Sequence, residues 1–126
     1  MDRNTKVTRK KLLDYFIKGD LALADLSGAN LNGTDLTRSD LNVADFYKAN
    51  LEWAKFKMAY LRSANFDEAD LIYTNFYRAY LMEADFEKAI LFEAKFKNAD
   101  LRGADFTGAD LEGAIFPEGY GKLPTN

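Results

Sequence analysis

The chain has 126 residues, enough for one domain with a single core, and its 17 basic and 20 acidic side chains leave a net charge of -3. That balance gives no general attraction to nucleic acid or anionic lipid. Cysteine and histidine are absent, which excludes disulfides, zinc held by thiolate or imidazole, cysteine nucleophiles and every histidine-based acid, base or triad.

Residues 1–18 read as an N-terminal cap. No hydrophobic region succeeds the charges of Met1–Lys6, so no signal peptide is read and a cytoplasmic location is expected. No apolar run approaches the roughly 20 residues of a membrane span. The spacing predicts a helix over about 8–18, with Thr8 as N-cap, Leu12, Leu13, Phe16 and Ile17 on one apolar face, and Gly19 as its stop. Its expected task is to plug the first coil of the repeat region. This segment carries a net +4 and the remainder -7, a difference read as a solvated helix face rather than a nucleic-acid arm.

Residues 19–118 are twenty units of five. Each has a large apolar centre: Leu21, Leu26, Leu31, Leu36, Leu41, Phe46, Leu51, Phe56, Leu61, Phe66, Leu71, Phe76, Leu81, Phe86, Leu91, Phe96, Leu101, Phe106, Leu111 and Phe116. Two positions earlier stands alanine, except at Gly19, Thr34, Ser39 and Thr74. Between the two stands Asp or Asn, except at Lys55, Tyr60, Tyr80, Ile90, Lys95 and Ile115.

A five-residue period fits neither regular element. On an α-helix each centre falls about 140° from the last, and no stripe forms. On a flat strand an odd period sends successive centres to opposite faces. A chain that turns a corner once per unit can bury all of them. The small residue and the centre point inward, the residue between them points outward, and the next two make the bend. Four sides close a square coil of twenty residues. Coils stack like parallel strands, and about five of them at about 4.8 Å give a rod roughly 24 Å tall. Parallel crossovers favour right-handed winding. A second large side chain per side would overpack so narrow an axis, which accounts for alanine. Asp and Asn suit the bends because their side chains bond nearby backbone groups. Residues 39–98 contain no Gly and no Pro, so their bends are expected to avoid positive φ and to resemble type I turns. Pro117 stops strand pairing, and 119–126 form a short tail in which Tyr120 and Leu123 fold over the last coil.

The units Ala24-Asp25-Leu26-Ser27-Gly28 and Ala104-Asp105-Phe106-Thr107-Gly108 resemble those of the pentapeptide-repeat family, over all twenty repeats. The resemblance implies an all-β solenoid, a right-handed quadrilateral parallel β-helix. The helical lead-in looks like that of members abundant in cyanobacteria. Dimers of family members form through C-terminal coils, which implies a homodimer through that end here.

Positions modulo twenty sort the outward side chains onto four sides. The side centred on Leu51 carries Trp53, Ile72, Tyr73, Ile90 and Phe92. It shares a corner with the side centred on Phe56, which carries Arg38, Lys55, Lys57, Arg78, Lys95 and Lys97 with Met58 and Tyr77. Opposite the latter, the side centred on Phe46 presents Asp45, Asp67, Glu68, Asp85 and Glu87 against Lys48 and Lys88. The side centred on Leu41 bears Tyr60, Tyr80 and Met82.

Exposed aromatics beside Lys and Arg are a composition common in interfaces. The expected function is therefore a non-enzymatic interaction module: a rigid rod presenting Trp53, Ile72, Tyr73, Ile90, Phe92, Lys55, Lys57, Tyr77, Arg78, Lys95 and Lys97 to a protein partner. The competing explanation of the aromatics is a ladder that stabilises the rod, as cross-strand pairs do. The family resemblance also implies mimicry of duplex DNA before a topoisomerase such as gyrase, and the basic side suggests direct nucleic-acid binding. No cofactor or catalytic residue is expected, because the inward positions are apolar or small and a convex rod has no interior cleft. No metal is expected either, since the acidic side lacks a loop that gathers oxygen ligands.

Overall fold

The computed structural model describes residues 21–120. The expected helix over 8–18, its Thr8 cap, its Gly19 stop and the tail beyond Tyr120 with Leu123 lie outside the described residues.

The chain winds with a period of twenty residues. Parallel bridges join Asp25 to Asp45, Asn30 to Asn50, Asp35 to Lys55 and Asp40 to Tyr60, one on each of four sides, and the same pairing repeats up to Lys95 with Ile115. Each side contributes one bridging residue, so among the described residues no helix and no longer strand occurs. The sides take their names from Leu41, Phe46, Leu51 and Phe56, the order in which the chain visits them. No helix of the described residues is long and apolar enough to cross a membrane.

Backbone bonds tie each coil to its neighbours. The centre's N–H donates to the coil above, as from Phe56 to the Asn75 carbonyl at 2.7 Å, and so does the N–H two residues later, as from Met58 to Tyr77 at 2.8 Å. The bridging residue donates the other way, Lys55 to Thr34 at 2.9 Å. Within each unit the small residue closes the turn onto the centre, Ala59 to Phe56 at 3.0 Å.

The axis is filled by the residues the repeat singles out. Eighteen of the twenty centres are buried, whereas Leu111 and Phe116 are only half covered. Those two belong to the last turn, above which no described coil lies. Phenylalanines from opposite sides form two columns. Phe46, Phe66, Phe86 and Phe106 stack with ring centroids 4.8–4.9 Å apart, and Phe56, Phe76, Phe96 and Phe116 at 4.9–5.1 Å. Across the axis the columns meet edge to face, 5.6 Å from Phe46 to Phe56. Both arrangements are ones the ring quadrupole favours. Thr74 is buried at a small position and donates its hydroxyl to the Leu71 carbonyl, so its polar atom is satisfied inside the wall. At the far end Tyr120 stacks on Phe116 at 5.4 Å, as expected of the tail's first aromatic.

The bends differ from the expected type I. The second bend residue has positive φ in every unit from Leu21 to Leu111, including Val43 at 62°, Trp53 at 65°, Tyr73 at 58° and Arg78 at 57°, and in the last unit the positive φ moves to Gly119. With the residue before it outside that region and the small residue bonded back to the centre, these are type II turns. The cause is stacking. The N–H of that residue must reach the coil above, so a corner can bond only to a corner of the same shape. Gly28, Gly33, Gly103, Gly108 and Gly113 take this conformation easily, at φ 67–74°, and the glycine-free middle is held in it too. For a β-branched residue the region is strained. Val43→Gly, at the column position that Gly103 holds further up the rod, is expected to stabilise the protein by roughly 1 kcal/mol. A thermal midpoint that falls instead would show that the Val43 side chain packs more favourably than its backbone is strained.

Asp and Asn cap these turns. Asp45 Oδ1 accepts the N–H of Tyr47 at 3.0 Å, Asn65 that of Asp67 at 2.9 Å, and Asp85 that of Glu87 at 2.8 Å. Tyr60 has no such acceptor, and the N–H of Arg62 is taken by Asn42 Oδ1 of the coil below at 2.8 Å.

Candidate functional site

The corner between the Leu51 and Phe56 sides brings the expected aromatics and lysines together. Trp53 is the positive-φ residue of its turn, so its side chain projects from the corner, and two residues later Lys55 opens the basic side. Trp53 is 57% exposed and stacks on Tyr73 of the next coil, with centroids 4.4 Å apart and planes 20° from parallel. Tyr73, 37% exposed, meets Phe92 edge to face at 5.7 Å. Ile90 stands in the bridging column and is 41% exposed, while Ile72 and Phe92 are half buried. The aromatics therefore form a ladder and still keep a face in solvent. A second ladder lies on the Leu41 side, where Tyr60 and Tyr80 stack at 4.9 Å.

On the Phe56 side Lys55, Arg78, Lys95 and Lys97 are exposed, and Lys57 and Tyr77 are half buried. The Arg78 guanidinium lies 5.8 Å from the centre of the Tyr77 ring, within cation–π range. Asp35 sits in the same bridging column as Lys55. Its carboxyl is held below the usual carboxylate range by the Thr37 hydroxyl, which donates to it at 2.6 Å, by the Thr37 N–H, and by the charges of Lys55 and Lys57. With Arg38 included, and Asp35 and Glu118 subtracted, the side carries a net +4.

The Phe46 side carries a net -5, counted over its bridging and bend residues from Asp25 to Gly108. Lys48 lies 3.9 Å from Glu68, a loose exposed pair worth little. One grouping on this side escapes sequence reasoning. The carboxylates of Asp67, Asp85 and Glu87 approach within 4.8 Å of one another, and Asp67 Oδ1 is covered with no hydrogen-bond partner. Stacking, not a loop, gathers them. The repulsion of Asp85 and Asp105, with partial desolvation and Asp67, pushes the Glu87 carboxyl above its usual range. The signal in the sequence is acidic residues at 67 and 87, twenty apart, beside Asp85.

The sequence matches the family described as pentapeptide repeats over residues 20–57, 59–98 and 79–117, in 8 copies. Among curated proteins none matches it. Among solved structures it is similar to a pentapeptide repeat protein from the thylakoid lumen of Arabidopsis thaliana, at 32% identity and a TM-score of 0.61. That match covers 76% of this chain, and this chain spans only 64% of that one. A pentapeptide repeat protein from Nostoc PCC 7120 is 30% identical over 94% of this chain and 93% of its own, with a TM-score of 0.49. Another from the same cyanobacterium, involved in heterocyst differentiation regulation, is 34% identical over 79% of this chain and 56% of its own, with a TM-score of 0.35.

Proposed function

The chain belongs to the pentapeptide-repeat family, whose fold is a right-handed quadrilateral β-helix, and from that premise we propose that it is a non-enzymatic interaction module. A rod of about five coils presents the Trp53, Tyr73 and Phe92 corner, with Ile72 and Ile90 around it, to a protein partner. Lys55, Lys57, Tyr77, Arg78, Lys95 and Lys97 flank the corner and steer an acidic partner toward it. In this reading residues 1–18 cap the first coil, 19–118 are the rod, 119–126 close its other end, and the protein works in the cytoplasm. A homodimer through the last coil is compatible with it, since that end leaves the corner free.

One observation carries the reading. Trp53 is more than half exposed while stacked on Tyr73, so its outer ring face is held rigid before any partner arrives. A preordered aromatic beside cations loses little conformational freedom on binding. Mimicry of duplex DNA fits less well, because one whole side of the rod is basic. Trp53→Ala is expected to weaken partner capture from the native organism by about tenfold or more, the loss of an anchor worth at least about 1.4 kcal/mol. Its circular dichroism should match the parent protein's. Undiminished capture by a folded variant would remove the corner from the account.

A further inference from the structure

We propose that the occupant of the basic Phe56 side is the acidic Phe46 side of a second copy, so that rods associate flank to flank. The two sides lie on opposite flanks of one rod, since Phe46 and Phe56 meet edge to face across its axis. Their charges are opposite, and they are also in register. The bridged column on the basic side reads Lys55, Asn75, Lys95, and that on the acidic side reads Asp45, Asn65, Asp85. Charged, neutral and charged positions fall in the same three middle coils on both flanks. Below them Asp35 falls opposite Asp25 and above them Ile115 falls opposite Asp105, so the attraction rests on the middle coils.

A copy displaced sideways without rotation therefore sets Lys55 against Asp45 and Lys95 against Asp85, with Asn75 against Asn65 between them. The half-coil offset between the columns is roughly 2.4 Å, well within the reach of a lysine side chain. Asp45 and Asp85 use Oδ1 to cap their turns, which leaves Oδ2 as the oxygen for a neighbour's ammonium. Lys55 and Lys95 are exposed. Exposed ion pairs are individually weak, so the contact depends on several matched pairs and on low ionic strength. Because the two faces differ, every rod added leaves one of each open. The contact is heterologous and extends into a ribbon instead of closing as a dimer. It goes beyond the module reading: it leaves Trp53, Tyr73 and Phe92 open but draws on Lys55 and Lys95, so an associated rod would offer its partner the aromatic corner without that steering charge.

Sedimentation velocity over a concentration series tests this, at about 10 mM and about 150 mM ionic strength, where the screening length falls from roughly 30 Å to 8 Å. The full chain is expected to rise above its single-chain mass of 14.3 kDa at the lower ionic strength and to fall back toward it at the higher. Two charge-reversal variants, Lys55→Glu with Lys95→Glu and Asp45→Lys with Asp85→Lys, should each stay single. Both should remain folded by circular dichroism, because lysine already occupies the bridging position at 55 and 95 and the glutamates introduced there would lie in exposed positions. Mixed in equal amounts, the two variants should associate again, since each keeps the flank the other has lost. A chain that stays single at low ionic strength overturns the proposal. So does association that survives either reversal, which would place the contact elsewhere, at a rod end for instance, and so does a mixture that fails to recover.

Discussion

Phe76→Ala should cost about 3–5 kcal/mol, the usual range for emptying a phenylalanine site in a core that cannot collapse. Phe76 stacks on Phe56 below it at 5.0 Å and on Phe96 above it at 4.9 Å, and meets Phe66 and Phe86 edge to face. All four neighbours are themselves fully buried and bonded into coils of fixed rise, so none can move in to fill the space. Phe116→Ala, on the same side of the last turn, should cost clearly less, because that ring is only half covered. Equilibrium denaturation of the two variants gives the comparison, and the Phe76 variant should lose roughly 10–20 °C in thermal midpoint. Equal losses would mean that the cost does not follow the burial of the ring along this column.

Enlarging a small inward residue is the opposite experiment on the same axis. Ala64 is completely buried. Leucine there adds three carbons to a cross-section already occupied by four large centres, at an expected cost of about 1–3 kcal/mol from forced rotamers and displaced backbone. Ala104→Leu, two coils further along the same corner, is the control: Ala104 is only partly buried, and its added carbons have somewhere to go. Urea midpoints should separate the pair clearly. If both substitutions are equally harmless, the preference for alanine at this position has a cause other than space.

The architecture could be read from the sequence because every coil repeats the same demand. Leucine or phenylalanine at every fifth position, with alanine two earlier, leaves one arrangement that buries both, and the bridges between residues twenty apart are that arrangement. The assignment of Trp53, Tyr73 and the lysines to adjoining sides needed only position modulo twenty. The bends depart from the expected type I for a definite reason. Single-residue preference disfavours positive φ at Val43 or Trp53, but a corner must match the corners it bonds to, and that requirement acts between coils. The closeness of Asp67, Asp85 and Glu87 was hidden for a related cause: it depends on how side chains of successive coils lean toward one another, which no spacing rule contains. Ile72 and Phe92 stand at bend positions of the repeat, where stacked coils leave them half covered.

Because the backbone bonds between coils join only residues about twenty apart, twenty is the natural unit in which such a chain can change length. Excising twenty consecutive residues lowers the rod by one storey and leaves every survivor resting on an equivalent floor. Excising five would swing everything beyond the seam through a quarter turn, delivering lysines where isoleucine and aromatic side chains had stood. Height is thus the one dimension that insertion and deletion can adjust while the pattern around the circumference stays as it was.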